Sequence, residues 1–91
     1  MSLVHGLLSI HLKKNAEVLS DAFHYEKEVD GGLHYFVVLK KDNAESRRKI
    51  LEFFDRYDVS GLSFRYPVFI QFLTKEQLAK MALNLKEIKL T

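Results

Sequence analysis

The chain has 91 residues, 47% of them apolar and 12% aromatic. That is material for one hydrophobic core, which excludes both a two-core protein and a disordered chain, so residues 1–91 are expected to form a single domain. There is no cysteine, which rules out a disulfide framework or a thiolate zinc site and points to a reducing, cytoplasmic setting, and a net charge of +2 with a pI near 8.9 is too mild to imply a polyanionic partner by itself.

The opening stretch from Leu3 to Leu12 is apolar but carries His5 and His11, follows no basic residues and is too short to cross a bilayer. It is therefore expected to be structure, with no membrane partner. Its even positions, Val4, Gly6, Leu8, Ile10 and Leu12, alternate with His5, Leu7, Ser9 and His11, and that period of two predicts a half-buried strand. Asn15 then caps a short predicted helix with Ala16, Leu19 and Ala22 or Phe23 on one face.

A hairpin is the clearest local signal: a strand over Phe23 to Val29, the turn Asp30-Gly31-Gly32, and a strand from Leu33 to Lys41. A three-residue loop with Gly32 in the left-handed conformation pairs Val29 with Leu33, Tyr25 with Val37 and Phe23 with Leu39. A two-residue loop would set Glu26 opposite Val37 instead, and the first register is preferred. Asp42 and Glu45 have the spacing of a capping box, and Ile50, Leu51, Phe53, Phe54 and Tyr57 form a helical stripe, so a second helix is predicted from Asn43 to Asp58. Gly61 closes it. Leu62, Phe64, Tyr66, Val68, Ile70 and Phe72 alternate as a strand in which Pro67 removes a ladder donor, so that strand belongs at an edge or carries a bulge. Thr74 with Gln77 makes a further capping box, opening a helix with Leu78, Met81, Ala82 and Leu85 on one side. Lys86 to Leu90 reads equally as a fifth strand or as more helix.

Strand, helix, strand, strand, helix, strand is the order of a ferredoxin-like βαββαβ sandwich, here with an extra C-terminal helix. The expected fold is thus α+β, with an antiparallel sheet ordered fourth, first, third, second and both helices on one face. The helix-covered side then holds Leu8, Ile10, Tyr25, Val37, Leu39, Phe64, Val68, Ile70 and Phe72. The open side holds all four histidines, with Glu26, Glu28, Arg65 and Gln71.

Three functional readings follow. Leu7, Phe36, Val38 and Phe69 make the open side more apolar than a monomer leaves wet, which predicts an interaction or regulatory domain that self-associates, as a homodimer, through that face or an edge strand. Lys13, Lys14, Lys40 and Lys41 are expected at one end of the sheet beside Arg47 and Arg48, the ingredients of a site for a phosphate-bearing ligand or nucleic acid. An enzyme with a site shared between subunits is the third. No nucleophile elbow, phosphate loop or carboxylate pair is visible, so no catalytic residue is assigned. No cofactor or metal is expected either, since HxH, HxxxH and HExxH spacings are all missing.

Overall fold

The computed structural model describes residues 3–25, 32–61, 65–81 and 85–90. It is an α+β protein built on one four-stranded mixed sheet. The elements are α1 (Leu3–Lys14), a 3₁₀ turn (Ala16–Val18), β1 (Leu19–Tyr25), β2 (Leu33–Leu39), α2 (Ala44–Leu51), α3 (Phe53–Val59), β3 (Val68–Phe72), α4 (Lys75–Ala79) and β4 (Leu85–Glu87). No helix among the described residues is long and apolar enough to cross a membrane.

The opening segment is a helix, not the expected strand. Val4, Leu8 and Leu12 satisfy both periods at once, because positions four apart are in phase with an alternation of two and nearly in phase with 3.6. Length and the position of Ile10 separate the two. Twelve residues exceed a usual strand, and Ile10, which alternation would bury, is 53% exposed. Asn15 then closes α1, its backbone and side-chain nitrogens both donating to the His11 carbonyl. The helix expected after Asn15 reduces to the 3₁₀ turn, and the chain from Leu19 onward is extended because it pairs on both sides.

The sheet order is β3-β2-β1-β4, with β1 antiparallel to both β2 and β4 and β2 parallel to β3. The ferredoxin-like order is therefore not found. With the first expected strand coiled as α1, nothing separates β2 from β3, and the tail supplies the fourth strand beside β1. Ile88 continues that edge by donating to the Ala22 carbonyl and is itself buried.

The hairpin register also differs from both expected ones: Ala22 faces Val37, Phe23 faces Phe36 and His24 faces Tyr35. A one-residue irregularity at Ser20, between the Leu19–Leu39 and Asp21–Val38 pairs, inverts the phase of β1. Without it Phe23 and Tyr25 would follow Leu19 inward; with it Ala22 and His24 do so, and Tyr25 packs on the far side against His34 and Phe36. β2 and β3 keep the expected facing. Tyr35 and Val37 lie in the core with Val68, and Leu39, Ile70 and Phe72 pack against it. The expected facing of Phe64 and the strand over Leu62 to Phe64 lie outside the described residues, as do the Asp30-Gly31 turn, Glu26, Glu28 and Ala82.

Gly32 is not left-handed; its need for glycine is close approach, since a Cβ there would stand 2.6 Å from the Phe69 ring and 3.1 Å from the Pro67 carbonyl oxygen. Pro67 stands just before β3, at the sheet edge, and its carbonyl accepts from Leu33 N at 2.9 Å. The second helix is broken at Glu52 into α2 and α3. Its cap is Asn43, whose Oδ1 accepts from Ser46 N at 2.8 Å, while Asp42 takes a two-pronged hydrogen bond from Arg47. Gly61 does follow it with φ of 80°. The Thr74–Gln77 capping box is complete but opens only the short α4, and Leu85 belongs to β4.

Candidate functional site

Two concavities flank α1. The larger, about 550 Å³, runs between α1 and α3. Leu7 and Ile10 line it from α1, Phe53 and Tyr57 from α3, and the exposed Lys14, Glu52 and Arg56 stand at its margins. Helical geometry explains it. Val4, Leu8 and Leu12 turn one side of α1 to the core, and Leu3, Leu7 and Ile10, at spacings of four and three, form a second apolar stripe beside the first. Leu7 is 41% exposed and Ile10 53%. His11 fixes the neighbouring helices: its Nε2 lies 3.0 Å and 3.1 Å from the Lys49 and Ile50 carbonyls, so it carries the proton and donates to both. Those bonds satisfy carbonyls at the end of α2, where the helix breaks.

The smaller concavity, about 280 Å³, lies on the opposite flank of α1 against β1 and β4. His5 and Ser9, one helical turn apart, and Lys13, one turn further, present three polar groups along one line. His24 from β1 and Lys86, Glu87, Ile88 and Lys89 from the C-terminal segment complete it. His5 Nδ1 is 2.7 Å from the hydroxyl of Tyr35, a residue 1% exposed, and Ser9 Oγ is 3.5 Å from His5 Nε2. The His5 and His24 rings lie 4.5 Å apart, and His24 Nδ1 is 2.7 Å from the Tyr25 carbonyl. Because a carbonyl only accepts, Nδ1 of His24 carries a proton.

These surroundings shift the titrating groups. Burial, and then the neighbouring His24, holds the His5 imidazole below its ordinary value. Burial, then Tyr57, pushes the Tyr35 hydroxyl well above the usual phenol range, so it remains a neutral hydrogen-bonding partner. Burial likewise raises Tyr57, with Asp58 and Tyr66 adding to it, and the Tyr57 hydroxyl donates to the Tyr66 carbonyl. Among the described residues no group of three His, Asp or Glu is placed to hold a metal ion.

The six basic residues expected at one end of the sheet are dispersed. Lys13 lines the smaller concavity and Lys14 the larger, whereas Lys40 stands near Asp42 and Lys75 in a third depression. Lys41 and Arg48 are exposed. Arg47 is bound to Asp42, which lowers that carboxyl, and its guanidinium lies 5.0 Å over the Phe72 ring. The convergence depended on parallel first and third strands, and α1 removes that premise. Of the four expected interface residues, Leu7 is on α1, Phe36 and Val38 are buried within the chain, and Phe69, 49% exposed, stacks on His34 at the edge of the far face. His24 joins His5 on the helix-covered side, so the histidines do not share one face. Tyr35, Lys86 and Lys89 were not foreseen, because only the tertiary placement of β2 and the C-terminal segment brings them to His5, Ser9 and Lys13.

Comparison with protein-family models, with curated proteins and with solved structures gives no match.

Proposed function

We propose that this protein is a non-enzymatic interaction domain that associates with a second copy of itself through the α1–α3 face. The observation that carries this is the second apolar stripe of α1: Leu7 and Ile10 stand half in water beside a groove floored by Phe53 and Tyr57. A ridge adjoining a groove is self-complementary under a two-fold axis, since the ridge of each copy enters the groove of the other. The margins favour the same occupant. Lys14 and Arg56 stand with Glu52, so a copy rotated by 180° can set each sign against its opposite, whereas a partner of a single charge would meet repulsion. Removing Leu7 and Ile10 from water supplies the driving force, at roughly 25 cal/mol per Å² of apolar surface.

The test is solution mass across a concentration series, for the wild type and for Ile10→Glu. A dimer that becomes monomeric in Ile10→Glu, with an unchanged circular dichroism spectrum, is the expected result. A wild type that stays monomeric at millimolar concentration overturns the proposal, as does a dimer indifferent to charge at Ile10.

A further inference from the structure

We infer that the concavity between α1, β1 and the C-terminal segment is a binding site for a tetrahedral oxyanion, a phosphate group in particular, held by Lys13, Lys86 and Lys89 with the His5–Ser9–His24 cluster at its base. It is a different surface from the self-association face and does not rest on it.

Charge is the first support. Three lysines from two separate parts of the chain line one space of about 280 Å³, and the only acid on its wall among the described residues is Glu87. None of the three is in an ion pair among the described residues. Lys13 from one element and Lys86 and Lys89 from another concentrate positive charge around this one space, which an anion would offset.

Hydrogen-bonding capacity is the second. The Ser9 hydroxyl and the two imidazoles are half-buried donors and acceptors at the same place, and the buried Tyr35 hydroxyl fixes the orientation of the His5 ring. His24 donates from Nδ1 to the Tyr25 carbonyl, which fixes the orientation of its ring. With ring centroids 4.5 Å apart, the two imidazoles line the same part of the space. The groups that face this cluster are Lys13 and Ser9 from α1, Tyr35 from β2, and Lys86, Glu87 and Lys89 from β4 and the residues after it. Size narrows the ligand. The space is smaller than pockets that enclose drug-sized molecules, which suits inorganic phosphate or a small phosphomonoester.

The experiment is a nuclear magnetic resonance titration of the full chain with sodium sulfate, inorganic phosphate and glycerol 3-phosphate, against sodium chloride at equal ionic strength. Saturable shifts at His5, Ser9, Lys13, His24 and Lys86 are expected with sulfate, and phosphate should compete for them. Tighter binding of glycerol 3-phosphate than of inorganic phosphate identifies an esterified ligand; equal or weaker binding identifies the free ion. Either variant, Lys13→Glu or Lys86→Glu, both at exposed positions, should weaken sulfate by about tenfold with the melting curve retained. Shifts no larger than those with chloride, or a sulfate affinity indifferent to both lysine variants, would each overturn the inference.

Discussion

His5 couples a buried phenol to a second imidazole, and its titration reports on both. Because burial and then His24 hold its imidazole below the ordinary value in the folded protein, the unfolded chain takes up this proton at higher pH than the native one does. The associated stability is complete above about pH 6.5, the ordinary imidazole value, and is lost as the pH falls through it toward the lower native value. We expect the urea midpoint to drop on acidification through that window, and to drop less in His5→Gln. His24→Gln removes the like-charged neighbour, so the His5 Hε1 titration observed by nuclear magnetic resonance should move upward. A second residue-scale prediction concerns Gly32. A methyl group there meets the Phe69 ring and the Pro67 carbonyl, which is already engaged by Leu33 N. Gly32→Ala should displace the Phe69 ring from His34 and cost about 1 kcal/mol, measured by denaturant unfolding.

At the scale of elements, what could be read depended on whether competing periods disagree. Residues 43–58 could only be helical, since Ile50, Phe53, Phe54 and Tyr57 have no alternating reading, and they are helical apart from the break that His11 caps from another element. The Thr74–Gln77 box and the edge position of the Pro67 strand were likewise legible, because each rests on local chemistry. The opening segment was not, because Val4, Leu8 and Leu12 suit either period. The two readings of that segment make different predictions. Both bury Leu8, and Leu8→Ala should cost about 3 kcal/mol. Only a strand buries Ile10; in the helix Ile10→Ala should change monomer stability by no more than about 0.5 kcal/mol, measured at a concentration below association.

At the scale of the whole molecule, one misassigned element redrew the topology and with it the surfaces. A helix in place of the first strand makes β2 and β3 direct parallel neighbours, removes the sheet end at which the lysines were to meet, and places a second apolar stripe where no sheet-based reading had one. Of the site, Leu7 and Lys13 were legible as candidates, but their partners Ile10, Phe53, Lys86 and Lys89 follow only from tertiary placement. Self-association adds a thermodynamic signature of its own. The melting temperature of the wild type should rise with protein concentration, and that of Ile10→Glu should not.

Ser20 gives this arrangement an unusual dependence on chain length. It brings little chemistry, yet as the extra residue in β1 it decides whether odd or even positions downstream look toward the helices. Excising that one codon would hand Phe23 and Tyr25 to the core and send His24 to the opposite surface, parting it from His5. Shortening a strand by a single unit would thus erase a two-histidine corner while leaving every one of its side chains present in the polypeptide.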